Sequence, residues 1–171
     1  MGLYDDEPGD ALAASPDGPP PGWERCRLES RGWGFRFDHP SDWRRREDSD
    51  EGFARASPAA GGAESVTAEM KALDYLPTIE QHAAGALERL RDQIPGVNVL
   101  ARRARLVGGT DGFQVEFASA GPEGRRRGLQ LFGLRGNVAF TLTVLGPDPA
   151  SAAFAPVLER IVASFEAFGE K

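Results

Sequence analysis

Between residues 97 and 144 the chain alternates apolar and polar residues in four successive segments, joined by connections only a few residues long. Phe113, Val115 and Phe117 recur at every second position, as do Val138, Phe140, Leu142 and Val144. A period of two places each set on one face of a strand. The connections Gly108-Gly109-Thr110-Asp111-Gly112, Ala120-Gly121-Pro122-Glu123-Gly124 and Arg135-Gly136-Asn137 are too short for the crossover that parallel neighbours need. The four segments therefore predict an antiparallel meander.

The same period appears upstream. Trp33, Phe35 and Phe37 share one side of a strand and Gly34, Arg36 and Asp38 the other, and His39-Pro40-Ser41-Asp42 ends it because proline cannot continue a central ladder. Short strands are expected from Trp43, here read as a core residue, over Gly52–Ala56 and over Glu64–Leu73. Two helices interrupt the strands. Thr78 with Gln81 three residues later makes a capping box, followed by an apolar stripe of Ile79, Ala83, Ala86, Leu87, Leu90 and Ile94 that Pro95-Gly96 stops. His82 reads as a partly exposed spacer on that helix. The second helix follows Asp148-Pro149 and buries Phe154, Leu158, Ile161, Val162 and Phe165, with Pro156 confined to its first turn. The order is β-β-β-β-α-β-β-β-β-α. The expected class is α+β, a mainly antiparallel sheet with helices on both faces.

Length and charge narrow the function. The 171 residues make one domain. Five of the acids fall in residues 1–22, which hold no Lys or Arg and carry Pro8, Pro16, Pro19, Pro20 and Pro21. That stretch reads as a disordered acidic tail, with a single domain over residues 23–168. The rest of the chain is close to neutral, which does not suit a nucleic-acid binder. No apolar run approaches the length of a membrane span, and no basic-then-apolar leader stands at the N-terminus, so the expectation is a cytoplasmic protein without membrane insertion.

In this order and spacing the motifs resemble the PsbP-like superfamily. The aromatic strand running into Pro40-Ser41-Asp42-Trp43 is similar to its F-x-x-P-x-x-W opening. The mid-chain helix followed by Leu106-Val107-Gly108-Gly109 is similar to its central part, and Ile161-Val162-Ala163-Ser164-Phe165 resembles its closing I-x-x-S-F helix. The resemblance covers about residues 30–166. It implies a sheet sandwiched between helices, in the fold shared by the photosystem II extrinsic subunit, the Ran-binding nuclear import factor, DcrB-type and LpqN-type proteins and chaperones for secreted toxins. It also implies binding of another protein.

The residues themselves offer no catalytic set. The glycine-rich stretch 108–112 lacks the Gly-Lys-Ser/Thr end of a phosphate loop and runs into a strand. Asp48-Ser49-Asp50-Glu51-Gly52 begins like a calcium loop, but Ala59 stands where the closing glutamate belongs. Cys26, the single cysteine, reads as an inert strand residue, although a pairing with His39 is conceivable. The expected protein is therefore not an enzyme and takes no cofactor or metal. It is a non-catalytic protein-binding module, an adaptor or chaperone; the alternative is a carrier of a small ligand or lipid in an apolar pocket between sheet and helix. Arginines cluster at Arg44-Arg45-Arg46, Arg102-Arg103-Arg105 and Arg125-Arg126-Arg127. Because alternate strand residues share a face, Arg44, Arg46, Arg102, Arg103, Arg105, Arg125 and Arg127 are the candidates for a partner surface. The competing reading is solvated strand edges whose charges discourage unwanted pairing.

Overall fold

The computed structural model describes residues 18–122, 124–148 and 153–169. Most of the expected acidic tail, and the segment leading into the second helix, lie outside them.

Three layers stack. The middle layer is a seven-stranded antiparallel sheet in the order β3-β4-β5-β9-β8-β7-β6. Its strands are β3 (Trp43–Asp48), β4 (Phe53–Pro58), β5 (Ser65–Ala72), β6 (Asn98–Val107), β7 (Thr110–Gly121), β8 (Gly124–Arg135) and β9 (Val138–Pro147). The expected meander is the run β6-β7-β8-β9, each strand paired with the next. Gly108 and Gly109, at φ +58° and +83°, form the two-residue turn between β6 and β7, a conformation glycine enters without steric penalty. Trp43 lies half-buried against the main core.

On one face lies α1 (Ile79–Gln93). Its capping box forms as expected, with Gln81 N–H donating to Thr78 Oγ1 at 3.2 Å and Thr78 N–H to Gln81 Oε1 at 3.0 Å. Ala86, Leu87 and Leu90 pack on Val115, Phe117 and Phe132 in the smaller of two cores. One reading is corrected here: His82 is buried, not a spacer, with its ring edge-on to Phe132.

On the other face lies a layer with a sheet of its own, beyond the single sheet that periodicity suggested. β1 (Trp23–Ser30) pairs with β2 (Trp33–Pro40), and β10 (Glu166–Phe168) pairs with the other edge of β2. Past β10 that edge is taken by α2 (Phe154–Ser164), whose Ser164 Oγ accepts the Asp38 N–H at 2.8 Å. Phe35, Phe37, Leu131, Phe140, Leu142 and Ile161 fill the main core between this layer and the sheet. Period two assigns Asp38 to the polar side of β2, and it does face that way, yet it is fully buried. Arg25 Nε donates to its Oδ1 at 2.8 Å and Arg160 Nη2, from α2, to its Oδ2 at 3.2 Å. The carboxylate thus ties α2 to β1 and β2.

Candidate functional site

The conceivable Cys26–His39 nucleophile does not form. Cys26 stands opposite Phe37 and Glu24 opposite His39. The thiol donates instead to Glu47 Oε1 at 3.3 Å, and His39 Nδ1 bonds the Pro40 carbonyl at 2.8 Å. Burial and the Glu47 carboxylate push the thiol up to about 12, so it stays protonated and unreactive at neutral pH. Asp48 closes a turn by accepting the Asp50 and Glu51 N–H groups, each at 3.1 Å, which is the role of a turn aspartate. Among the described residues no group of three His, Cys, Asp or Glu side chains is placed to hold a metal ion. No described helix is long and apolar enough to cross a membrane.

The seven candidate arginines do not form one surface. Pair parity holds, since cross-strand partners share a face, but the clusters separate in space. Arg44 and Arg46 of β3 stand opposite Ser57 and Arg55 on the α1 side of the sheet, exposed beyond the reach of that helix. Arg102 points to the α1 side too, at the far edge, opposite Val115. Arg103 and Arg105 turn to the opposite face, as do Arg125 and Arg127 of β8.

On that opposite face a polar ladder crosses β6, β7 and β8. Arg105 Nη1 donates to Gln114 Oε1 at 2.6 Å, and Arg103 Nη2 reaches the same oxygen at 3.5 Å. Gln114 Nε2 donates to Glu116 Oε1 at 3.2 Å, and Glu116 Oε2 faces Arg127 Nη2 at 3.8 Å. Arg125 pairs with Asp148 at 3.4 Å. Arg127 and Arg125 therefore meet carboxylates. Arg103 and Arg105 share one neutral amide oxygen, and among the described residues neither has a carboxylate partner. Partial burial first, and the adjacent Arg103 charge after it, pull Arg105 below the usual guanidinium range. Beside the ladder, Leu129, Val144, Pro147, Phe154 and Leu158 line an apolar groove between the sheet and α2.

These arginines stand on an edge strand. Among the described residues β6 pairs only with β7, so its outer row of N–H and C=O groups has no neighbouring strand among them. It is ten residues long and exposed along most of its length, with Leu100 and Leu106 among the exposed large apolar residues. Gln114 and Glu116, which hold the ladder, escaped the reading of the sequence. Their signal was two polar residues between Phe113, Val115 and Phe117, which alternation alone assigns to solvent.

Solved structures give the comparison. The chain superposes on cyanobacterial PsbP from Synechocystis with a TM-score of 0.66 at 13% identity, covering 92% of this chain and 99% of that one. LpqN of Mycobacterium tuberculosis, involved in cell envelope biogenesis, matches with a TM-score of 0.58 at 16% identity over 85% and 91% of the two chains. The Ran-binding protein of Saccharomyces cerevisiae matches at 0.52 and 13% identity, over 84% and 94%. At the level of sequence no protein-family model and no curated protein matches. The fold is PsbP-like.

Proposed function

We propose that this chain is a non-catalytic protein-binding module, an adaptor or chaperone, that takes an acidic extended segment of another protein along the free edge of β6. The observation that carries the reading is the pair Arg103 and Arg105, side by side on an exposed edge strand with only a neutral amide between them. A strand added to β6 would gain main-chain hydrogen bonds from the edge. Its carboxylates would meet two guanidiniums whose planar forks suit that group. The ladder through Gln114 and Glu116 holds those side chains in place, so less freedom is lost when a partner binds. That one neighbour in fold space is a Ran-binding protein supports a protein partner as a class. The cytoplasm is the compartment we propose for it.

The test begins with a partner identified by affinity capture from the native host. Amide hydrogen exchange then compares the free chain with the complex. Added protection at the outward-facing N–H groups of β6 is the expected result. Arg102, Arg103 and Arg105 replaced together by Gln should slow association about tenfold at low salt and flatten its salt dependence. A complex that leaves β6 exchange unchanged, and a triple variant with unaltered rate and salt slope, would move the site to the apolar groove beside α2.

A further inference from the structure

The α1 side of the sheet holds a second constellation, independent of the β6 edge. Between α1 and the surface made by β5, β9 and β8 lies a cavity of about 190 Å³, the liquid volume of about six waters. Its apolar wall is Ala86 and Leu90 from the helix with Phe132 and Ala139 from the sheet. Lys71, Glu69 and Arg89 stand around it as exposed side chains. Two buried polar atoms of its lining, His82 Nε2 and Gln130 Oε1, have no hydrogen-bond partner among the described residues. His82 is only 6% exposed.

Both side chains are oriented by neighbouring side chains, His82 by the cavity wall and Gln130 by a contact behind it. The His82 ring sits edge-on to Phe132, with centroids 6.0 Å apart. Gln130 Nε2 donates to Thr143 Oγ1 at 3.0 Å, which leaves the carbonyl oxygen as the free end of the amide. A buried polar atom left unpaired costs about 1–3 kcal/mol, so two in one cavity mark a place where an incoming polar group is favoured. Burial and the Arg89 charge hold His82 below its ordinary range, so at neutral pH its ring has one N–H donor and one acceptor. A hydroxyl is one small group that can donate to a carbonyl oxygen and, with the ring proton on Nε2, also accept from the ring N–H. The surrounding charges, two cations against one carboxylate, favour an anion.

We propose that this cavity binds a small hydroxylated organic anion. Its carboxylate lies near Lys71 and Arg89, its apolar body lies against Leu90 and Phe132, and its hydroxyl meets Gln130 Oε1 and His82 Nε2. The site belongs to a different face from the proposed β6 surface and does not rest on that reading.

The experiment titrates the full chain with three probes, 4-hydroxybenzoate, benzoate and phenol, following the His82 ring nitrogens and the Gln130 side-chain amide by NMR. 4-Hydroxybenzoate should shift both sets of signals with a Kd of about 1 mM or tighter. Benzoate, lacking the hydroxyl, and phenol, lacking the carboxylate, should each bind about tenfold more weakly. Gln130→Leu should lower affinity for 4-hydroxybenzoate about tenfold and leave benzoate unchanged. Arg89→Gln, an exposed change that leaves the fold intact, should weaken both acids and not phenol. Absence of any shift with 4-hydroxybenzoate up to about 10 mM overturns the proposal. Equal binding of all three probes, or affinity untouched by both variants, overturns it too.

Discussion

On one face of the seven-stranded sheet lie a second sheet and α2, closed over Phe35, Phe37, Phe140 and Ile161 at zero exposure. On the other, among the described residues, lies α1 alone, which covers β7 and β8 and leaves a cavity where it passes β5 and β9. On the closed side the buried Asp38 carboxylate accepts from Arg25 and Arg160, while its backbone N–H donates to Ser164 Oγ. Each side also leaves two buried polar atoms unpaired among the described residues. His39 Nε2 and Arg160 Nε on the closed side sit among packed side chains, whereas His82 Nε2 and Gln130 Oε1 on the open side line a cavity. A single helix cannot cover a sheet of this width, so the uncovered strands keep polar groups and charges at hand for other molecules. One face of the sheet thus carries stability and the other carries room to bind.

The largest effect should come from the ion network of the closed side. Asp38→Ala leaves two mostly buried guanidiniums without their shared carboxylate and should lower stability by about 3–5 kcal/mol, read as a shift of the urea midpoint. Leu142→Ala in the main core should follow at about 3–4 kcal/mol, against about 2 kcal/mol for Leu90→Ala beneath α1, since a wall already bordering a cavity has fewer contacts to lose. Equal losses for Leu142→Ala and Leu90→Ala in parallel thermal melts would erase the distinction between the faces.

A smaller effect separates the faces by pH. His82 is buried with its proton affinity lowered, so the unfolded chain binds more protons than the folded one once the pH falls below the ordinary histidine value of about 6.5. His82 is neutral in both states above that value and weighs against folding below it. Stability should therefore decline as the pH drops from about 7 to about 5.5, and His82→Gln should remove that part of the decline. A Tm profile of the variant parallel to the parent across this window would contradict the burial of His82. The smallest effect belongs to the β6 edge: Gln at Arg102, Arg103 and Arg105 together should change stability by less than about 1 kcal/mol, since exposed charges contribute little to folding.

How much was legible follows from which interactions are local. The meander, the capping box of Thr78 and Gln81 and the confinement of Pro156 to the first turn of α2 all depend on residues within a few positions of one another. They stood in the sequence and stand in the structure. Alternation told which residues of β2 share a face, but not which strands flank it. The separate sheet β1-β2-β10 was hidden because β10 is three residues long and pairs with β2, 130 residues away along the chain. Asp38 read only as lying opposite the aromatic face of β2, and its burial was hidden for the same reason, since Arg160, which helps to bury it, lies 122 residues on. At the candidate site the parity of Arg103 and Arg105 was legible. The neutral amide between them was not, because Gln114 meets them across a register that only the folded sheet sets.

The hydrogen bond from Asp38 to Ser164 spans 126 residues, and Ala167 N–H reaches back to the Gly108 carbonyl at the β6–β7 turn. During synthesis, then, the β1–β2 hairpin leaves the ribosome well before β10 and lacks its second neighbour until the last tenth of the described chain emerges. For most of translation its inner aromatic row has no lid from α2, while the meander that follows can assemble from neighbouring strands alone. Closing a loop of that length comes late and sets the pace. The β1–β2 layer is made before the elements that complete it, so the nascent chain, rather than the folded one, is the form most open to aggregation and to a cell's chaperones.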